Sequence, residues 1–531
     1  MTGARRLVEV LAAAGVRQIF TLSGNQILSV YDATIGRDIE LIHTRHEAAA
    51  VHMADAWGRL TERPGVALVT AGPGMLNAVS ALYGARMSEA PVVLMAGASP
   101  RTQRGKGAFQ DVDQVAAAKP VAKAAWSLED PARVGDDVAR ALAVAATGRP
   151  GPVYLSLPSD VMDAEAADAG APAAVPEPPP LAERDALAVV ALLAEAKRPL
   201  ILTGPAMGRG PRWAIVQRLA ATVGAPALPI ESPRGVNDPW LRGATRLLGE
   251  ADVVLLLGKP LDYTLRFGQA FARGARVIAL DLDASAAAAG ITLAVAADPA
   301  PAAERLRAAA ATRAWPASAW RDEVEAARRA TPPEWDALRR VNEPIHPLGV
   351  CAALEPHLKA GALLVSDGGE FGQWVQAGLE PRERIINGLS GAIGSALPMA
   401  IGARRARPER PVIAAMGDGT FGFHAFELDT ALRHRLPIVV VIGNDARWNA
   451  EHTLQVRTYG AERTVGCELL PSRYDALAAA LGCHGEFVTR AEELAPALAR
   501  ALAAGRPACV NVLIDGQPAP TFGGGGTRGH A

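Results

Sequence analysis

The chain has 531 residues, half of them apolar, and its formal net charge at neutral pH is −1. This length exceeds what one hydrophobic core supports, so about three domains are expected. The charge balance excludes a global field that would attract nucleic acid or an anionic membrane. No uncharged apolar run is long enough to span a bilayer, and Glu9 interrupts the N-terminal stretch that could act as a signal. We therefore expect a soluble, cytoplasmic protein.

The four cysteines lie in the last third of the chain, without any Cys-x-x-Cys pair: Cys351, Cys467, Cys483 and Cys509. This spacing favours neither a zinc site nor a disulfide framework. We expect four buried thiols.

The chain begins with a predicted helix over residues 4–14 and a strand over residues 17–22, which leads into a loop that ends at Gln26. Loops after strands are where α/β sheets hold ligands, so Gln26 is a candidate catalytic residue. A second strand over residues 39–44 precedes Glu47, which opens a helix over residues 48–60. On the sequence alone, the favoured interpretation of Glu47 is a first-turn glutamate that stabilises the helix dipole.

The same order of predicted strands, turn and helix occurs twice in the chain. A strand, a Gly-x-Gly turn, a helix and a Pro-led strand span residues 66–97 and again residues 411–442. This internal likeness predicts two domains of one fold, one near each end of the chain. Asp418 stands between the glycines of the second turn and Pro73 between those of the first. Only the second copy is therefore expected to bind a metal in this way.

The second turn, Gly417-Asp418-Gly419, predicts a phosphate site, because glycine lets the backbone approach and a helix N-terminus presents free N–H groups. Asp418 would repel a phosphate unless a divalent cation lay between them. Carboxylates, backbone carbonyls and phosphate oxygens are the ligands that Mg²⁺ prefers. Asn444-Asp445 ends the next predicted strand, so the unit is interpreted as a magnesium–diphosphate clamp.

Gly-Asp-Gly, twenty-four residues and then Asn-Asp resembles the signature of thiamine-diphosphate enzymes, whose usual form ends in Asn-Asn. The resemblance implies that Asp418, Asp445 and the backbone carbonyl of Arg447 hold Mg²⁺. It also implies that Ile393 supports the cofactor in a bent form, although a plain core isoleucine would pack in the same way. The cofactor-binding residues implied are Gly368, Gly369, Ala392, Ile393, Gly417, Asp418, Gly419, Thr420, Asn444, Asp445 and Trp448.

Residues 44–50 resemble the pyrimidine-binding domain of benzaldehyde lyase, acetolactate synthase and the 2-hydroxyacyl-CoA lyases. In this family a glutamate at the position of Glu47 bonds the cofactor's pyrimidine ring and passes a proton to it, which reverses the preference for the dipole interpretation. A Phe-Gln pair at the position of Phe109-Gln110 lines the family's active site. Gln110 is thus a candidate donor to substrate, with a plain surface loop as the alternative.

The middle of the chain is predicted to be Rossmann-like, with strands over residues 199–203, 253–257 and 277–281 and a glycine-rich turn over residues 204–210. The turn alone is a weak nucleotide signal. Residues 257–268 resemble 2-hydroxyacyl-CoA lyases and oxalyl-CoA decarboxylases, which implies ADP or another nucleotide here in preference to FAD. Tyr263-Thr264 replaces an arginine of acetolactate synthases, which counts against acetolactate synthesis.

The predicted fold class is α/β, with three domains that are each a mainly parallel sheet flanked by helices. The predicted segments are a pyrimidine-binding domain at 1–163, a linker at 164–182, a Rossmann-like middle domain at 183–330, a linker at 331–347, a diphosphate and magnesium domain at 348–515 and a flexible tail or lid at 516–531.

The resemblance implies a thiamine-diphosphate-dependent lyase, carboligase or decarboxylase that acts next to a carbonyl of an acyloin, a 2-hydroxyacyl-CoA or a 2-oxo acid. The alternatives are a decarboxylating synthase of acetolactate type and a non-catalytic regulatory paralogue. The paralogue should have lost Glu47 or the clamp, and both are present. The expected partners are a small-molecule substrate and further copies of the chain, without nucleic acid or membrane. The family implies a homodimer at minimum and favours a homotetramer.

Overall fold

The computed structural model describes residues 1–166, 177–285 and 289–522. These residues form three sheets in which every neighbouring pair of strands is parallel, with helices on their faces. The predicted fold class is confirmed. The described residues divide into two compact units, of which one contains the first and last sheets and the other the middle sheet.

The first sheet is built from six strands: β1 Gln18–Thr21, β2 Glu40–His43, β3 Gly65–Val69, β4 Val92–Ala98, β5 Ala124–Ser127 and β6 Val153–Pro158. Its helices are α1 Gly3–Ala13, α2 Leu28–Thr34, α3 Glu47–Thr61, α4 Pro73–Met87, α5 Gln114–Ala118, α6 Val134–Ala146 and α7 Ser159–Asp163. The strand order is β2-β1-β3-β4-β6-β5. Strands β1 and β3 are neighbours although β2 separates them in the chain, and such switch points open a crevice at the carboxyl ends of strands.

The middle sheet has five strands: β7 Pro199–Thr203, β8 Ala227–Pro229, β9 Val253–Leu257, β10 Arg276–Asp281 and β11 Leu293–Ala296. The helices around it are α8 Glu183–Ala194, α9 Gly210–Val223, α10 Ala244–Leu247, α11 Pro299–Ala310, α12 Trp320–Arg329 and α13 Trp335–Leu338. The order β11-β10-β9-β7-β8 is that of a doubly wound sheet with its switch point between β7 and β9.

The last sheet has six strands: β12 Leu363–Ser366, β13 Arg384–Ile386, β14 Val412–Gly417, β15 Val439–Asn444, β16 His484–Val488 and β17 Ala508–Leu513. Its helices are α14 Pro347–Lys359, α15 Gly369–Gly378, α16 Ala396–Ala406, α17 Asp418–Phe421, α18 Glu427–Arg433, α19 Asn449–Tyr459, α20 Tyr474–Ala480 and α21 Ala491–Ala503. The order β13-β12-β14-β15-β17-β16 repeats that of the first sheet position by position. The likeness predicted from the two Gly-x-Gly units thus extends over two whole sheets.

The central strands are buried on both faces, which is why they read as continuous apolar runs in the sequence. Helix α3 packs closely against α16. A Cβ on Gly402 of α16 would lie 2.2 Å from the carbonyl oxygen of Met53, so this approach requires glycine. The Arg59 side chain, buried near the end of α3, pairs with Asp55 at 2.5 Å and donates to the Ile386 carbonyl at 2.7 Å.

Five edge strands were not predicted from the sequence, namely β5, β8, β11, β13 and β16. They are short and several are only half-buried, so their hydrophobic pattern is weak. The segment predicted as the second linker contains α13. Residues 167–176 of the first predicted linker and 523–531 of the predicted tail lie outside the described residues. The four cysteines are buried thiols that form no disulfide bond, as predicted. None of the helices in the described ranges combines the length and hydropathy that a bilayer crossing needs.

Candidate active site

Asp418 and Asp445 lie at the carboxyl edge of the last sheet, beside the switch point between β12 and β14. The register pairs Gly417 of β14 with Gly443 of β15, so the residues that follow both strands leave the sheet side by side. Asp418 is 2% exposed and begins the one-turn helix α17. Asp445 is half-buried in the loop after β15.

Burial and mutual repulsion disfavour the charged forms of the Asp418 and Asp445 carboxyl groups. Burial raises the pKa of Asp418 to about 7, with a further contribution from the charge of Asp445. Burial likewise raises the pKa of Asp445 to about 6, partly opposed by the backbone N–H of Arg447. Asp418 Oδ2 is buried and has no hydrogen-bond partner among the described residues. A cation at this oxygen would offset both the burial and the repulsion, so the residues fit a metal ion.

The described residues contain no group of three or more His, Cys, Asp or Glu side chains placed to hold a metal. Any metal here would need oxygens from the backbone and from its ligand. Arg447 forms an isolated antiparallel bridge with Glu468, while the backbone hydrogen bonds run from Trp448 N–H to Cys467 and from Leu469 N–H to Ala446. In such a pair the N–H and carbonyl of Arg447 point away from the partner strand. The Arg447 N–H lowers the pKa of both carboxyl groups, which indicates that it faces them, and the carbonyl of an extended residue is directed to the same side as its N–H.

Asn444 is buried, and its side chain forms hydrogen bonds to other groups of the protein. Its Oδ1 accepts from the Ala446 N–H at 3.2 Å, and its Nδ2 donates to the Ser472 carbonyl and to Asn511 Oδ1, each at 3.1 Å. Ala446 has φ +55°, a left-handed conformation that non-glycine residues seldom adopt. The Asn444 side chain thus holds the turn that presents Asp445 and Arg447.

The Gly417-Asp418-Gly419 turn leaves open space on one side and is closed on the other. A Cβ on Gly417 would meet no atom within 4 Å, whereas one on Gly419 would lie 2.9 Å from the Trp448 ring. Phe423 stands edge-on to Trp448 with ring centroids 6.2 Å apart. Thr420 Oγ1 donates to the Gly417 carbonyl at 3.0 Å. Predicted cofactor residues from both strand ends therefore meet around this turn.

A second loop completes this edge of the sheet, and its key residue was not predicted from the sequence. Asp367, fully buried, accepts from the N–H groups of Gly368 at 2.7 Å, Gly394 at 3.1 Å and Ala396 at 2.9 Å. Burial nevertheless raises its pKa to about 6. Asp367 thereby joins the turn after β12 to the loop that carries Ala392 and Ile393. A Cβ on Gly368 would lie 3.1 Å from Ile393 Cγ2.

At the corresponding edge of the first sheet, the structure brings the three predicted catalytic residues into one neighbourhood. Gln26 Nε2 donates to Gln110 Oε1 at 3.0 Å, and Gln26 Oε1 accepts from Thr70 Oγ1 at 2.7 Å. Glu47, 9% exposed at the start of α3, accepts from Asn77 Nδ2 at 3.0 Å. A Cβ on Gly74 would touch both Thr70 Cγ2 and Glu47 Oε1, so the two groups are adjacent. Thr70 and Asn77 were not identified from the sequence.

Within one chain, the loop that carries Ile393 lies against the far ends of α3 and α4. A Cβ atom on Gly388 would contact Ser88 at the end of α4. A Cβ atom on Gly84 of α4 would contact Ser390 of the loop. Glu47 is the first residue of α3 and contacts Asn77 in the first turns of α4. Gly84 follows Asn77 by seven residues, which is about 10 Å along a helix. No described hydrogen bond or ion pair of Glu47 joins it to the Asp418 clamp.

Two sheets of identical strand order, one with paired carboxylates and the other with a buried glutamate at its carboxyl edge, are the arrangement of an α/β enzyme that uses a diphosphate cofactor. Two family models match the sequence. The "Thiamine pyrophosphate enzyme, N-terminal TPP binding domain" covers residues 1–117, and the "Thiamine pyrophosphate enzyme, C-terminal TPP binding domain" covers residues 367–512.

Curated relatives align along nearly the whole chain. "Acetolactate synthase large subunit IlvG" of Mycobacterium tuberculosis is 36% identical over 528 residues, covering 97% of this chain and 96% of the relative. "2-hydroxyacyl-CoA lyase 2" of Bos taurus is 30% identical over 570 residues, with 96% and 90% covered. "2-hydroxyacyl-CoA lyase" of Oryza sativa subsp. japonica is 28% identical over 545 residues, with 95% and 94% covered.

The chain belongs to the thiamine pyrophosphate enzyme family. The resemblance seen in the sequence is confirmed. The protein is an enzyme that uses thiamine diphosphate to break or form a carbon–carbon bond next to a carbonyl in a small-molecule substrate.

Proposed function

We propose that the enzyme is a lyase or carboligase that needs Mg²⁺ together with thiamine diphosphate. Asp418, Asp445 and the Arg447 carbonyl hold the metal, and the open side of Gly417 receives the diphosphate. The observation that supports this most strongly is Asp418 Oδ2, a buried carboxylate oxygen without a hydrogen-bond partner in the described residues and beside a second carboxylate. When bound, the cofactor supplies a nucleophilic carbon that adds to a carbonyl and then takes up the electrons of the adjacent bond.

In this proposal the chain's own residues move one proton and orient the reactants. Glu47 exchanges a proton with the pyrimidine ring through a carboxylate oxygen. Gln26 and Gln110, bonded to each other at 3.0 Å, present amide groups to a substrate oxygen. Trp448 and Phe423 form an apolar wall beside the clamp.

We propose further that two chains complete each site. In one chain the Ile393 loop packs at the far ends of α3 and α4, away from Glu47, which supports a site made from Glu47 of one copy and Asp418 of the other. Mixing Glu47→Ala and Asp418→Ala chains tests this. If sites are shared, a 1:1 mixture recovers roughly a quarter of the parental activity, because half the dimers are mixed and each keeps one intact site. A mixture as inactive as its components places both residues in one chain. A homotetramer is the expected assembly, and light scattering would measure it.

For the substrate we propose a 2-hydroxyacyl-CoA or an acyloin. The sequence of residues 257–268 supports this choice, together with the similarity to 2-hydroxyacyl-CoA lyases. In this loop Asp262 is engaged by its neighbours: it accepts from Thr264 N–H and Oγ1 and from Lys259 Nζ at 2.6 Å. A synthase of acetolactate type is the second candidate, favoured by the 36% identity to the mycobacterial relative.

A substrate panel separates the two candidates. Purified enzyme with thiamine diphosphate and Mg²⁺ is supplied in turn with 2-hydroxyacyl-CoAs, acyloins and 2-oxo acids, and the products are identified by mass spectrometry. Cleavage of the first two classes supports the lyase. Acetolactate formed from pyruvate, without cleavage of the others, supports the synthase.

A nucleotide in the middle domain remains a proposal, with ADP preferred to FAD. Its support is the switch point between β7 and β9, where Thr203 Oγ1 is buried and has no hydrogen-bond partner in the described ranges. Extraction and chromatography of the purified protein would identify ADP, and a yellow colour would indicate flavin. A cytoplasmic location also remains a prediction from the sequence, to be checked by cell fractionation.

A further inference from the structure

The two oxygens of the Glu47 carboxylate have different surroundings. Oε2 accepts a hydrogen bond from Asn77 Nδ2 at 3.0 Å. Oε1 faces Gly74, where a Cβ would stand only 3.3 Å away. One oxygen is therefore occupied by the protein, and the absence of a side chain at Gly74 keeps the space beside the other oxygen open.

Asn77 is the only donor to this carboxylate among the described residues. His46, the preceding residue, uses its Nδ1 to accept from the Ala48 N–H at 3.1 Å, so this ring nitrogen carries no proton. The His46 ring stands edge-on to His424, 5.5 Å between centroids, and burial lowers the pKa of His424 to about 3. Neither ring donates a hydrogen bond to the Glu47 carboxylate, whose described donor is Asn77.

We propose that Asn77 is a positioning residue for Glu47: it holds Oε2, so that Oε1 is the oxygen that exchanges the proton with the cofactor's ring, and it stabilises the charged carboxylate. This inference rests on the proposed role of Glu47. A hydrogen bond to a charged group favours the charged form and fixes the direction of the remaining lone pairs. Asn77 lies on the exposed face of α4 in the single chain, where its amide would otherwise be expected to bond water.

The structural alternative is an exposed amide whose contact with Glu47 has no consequence. It predicts that replacing Asn77 changes neither proton exchange nor the ionisation of Glu47. Two variants distinguish the interpretations. Asn77→Ala removes the donor, and Asn77→Asp keeps the shape but places a second carboxylate against Oε2.

The first measurement uses enzyme without cofactor. Protein labelled with ¹³C at its glutamate carboxyl carbons is titrated by NMR, and the Glu47 signal is assigned by its loss in Glu47→Gln. We expect the pH dependence of the Glu47 signal in Asn77→Ala and Asn77→Asp to differ from that of the parent, because a donor is lost in both variants and a like charge is added in the second. Parental midpoints in both variants would overturn the proposal.

The second measurement is hydrogen–deuterium exchange at the cofactor's reactive carbon. We expect exchange to slow roughly tenfold in Asn77→Ala, the usual scale for a lost hydrogen bond to a charged group. Ser80→Ala, an exposed residue one turn further along α4, is the matched control and should exchange like the parent. In a Glu47→Gln background, Asn77→Ala should cause no further loss, since it acts through Glu47.

These results separate this inference from the proposed function. If the parent itself shows no exchange that depends on Glu47, the role of Glu47 fails. If exchange depends on Glu47 but Asn77→Ala matches the parent, or the loss persists in the Glu47→Gln background, only the positioning role fails.

Discussion

The first and last sheets share one strand order and one switch point, yet they carry different chemistry at their carboxyl edges. In the last sheet the turn after the third strand in sequence presents Asp418, and buried acids surround it. In the first sheet the equivalent turn presents Pro73 at the start of the long helix α4, and the neighbouring groups are neutral amides, a hydroxyl and the single carboxylate of Glu47. The common fold supplies the crevice, and single residues at fixed turns decide which part of a ligand it can bind.

The largest effect is expected from Asp418→Ala. Removing this carboxylate takes away one of the proposed metal ligands, so cofactor binding that depends on Mg²⁺ should fall below detection, a loss of more than about 100-fold, because even residues behind the ligands contribute roughly 10–100-fold. Isothermal calorimetry with thiamine diphosphate, with and without Mg²⁺, measures it. Glu409→Ala, an exposed acid just before β14, is the control and should bind like the parent. If Asp418→Ala bound thiamine diphosphate as tightly as the parent, the last sheet would not differ from the first in metal binding.

Glu47→Gln tests the first sheet. The variant should still bind thiamine diphosphate, while exchange at the reactive carbon slows roughly 100-fold to 10,000-fold, because an amide cannot pass the proton. Exchange is followed by NMR after acid quench and needs no knowledge of the substrate. A glutamate that only stabilises the helix dipole predicts instead a stability loss of about half a kcal/mol with parental exchange.

A pH dependence should distinguish the buried acids of the last sheet. Burial raises the pKa of Glu427 from 4.5 to about 7. The folded protein then binds more protons than the unfolded chain, so the free energy of unfolding falls as pH rises from 4.5 to about 7, by up to about 3 kcal/mol from this group.

Glu427→Gln should remove that part of the dependence. Urea unfolding of the metal-free protein at pH 5 and pH 8, about the range that brackets this titration, measures it. The exposed Glu462→Gln serves as the control. Equal slopes in parent and Glu427→Gln would mean that Glu427 does not titrate in this range.

Asp367→Asn should have a smaller effect, confined to the cofactor. Asparagine offers one acceptor oxygen where Asp367 uses two, so at least one buried N–H of the Ile393 loop loses its partner, at a cost of about 1–3 kcal/mol. We expect thiamine diphosphate affinity to fall about tenfold, the lower end of that range. Asp160→Asn in the first domain is the comparison. Asp160 accepts from the Arg101 N–H at 3.0 Å but is more accessible to water than Asp367. Its replacement should leave the affinity for thiamine diphosphate unaltered.

The smallest effect is expected from Pro73→Asp, which gives the first sheet an acid between its glycines. The residues after β4 are Ser99 and Pro100, so no second carboxylate corresponds to Asp445. We expect no Mg²⁺ binding by calorimetry at this turn and a change in unfolding free energy below about 1 kcal/mol, since proline and aspartate are both favourable in a first helical turn. A new Mg²⁺ site would show that a carboxylate equivalent to Asp445 is not required.

Much of the fold could be predicted because its central strands are buried on both faces, and β14 and β15 therefore appear as apolar runs with glycine at their ends. Edge strands such as β16, with His484 and Glu486, lack this signal. The likeness of two Gly-x-Gly units was enough to predict that the first and last domains share a fold.

Residues of the candidate site could be predicted only where the residue type is unusual for its position in the local sequence pattern. Asp418 in a phosphate turn is such a residue. Asp367 is not, because an aspartate after a strand is ordinary, and its three backbone donors come from residues up to 29 positions away. Asn77 on an exposed helix face gave no signal either. The role proposed for it depends on the position of α3, which tertiary packing determines.

The close approach of α3 and α16 at Gly402 has a mechanical consequence if two copies share their sites. Helix α3 begins with the Glu47 of one site, and α16 continues from the Ile393 loop, which serves the other. With glycine at the crossing, the two helices touch backbone to backbone and cannot slide past each other without a clash at Met53. A shift of the loop when one site fills would therefore be carried through this rigid pair to the glutamate of the other. Occupancy of the two sites would then be correlated, and the stiffness of one helix crossing would set the strength of that correlation.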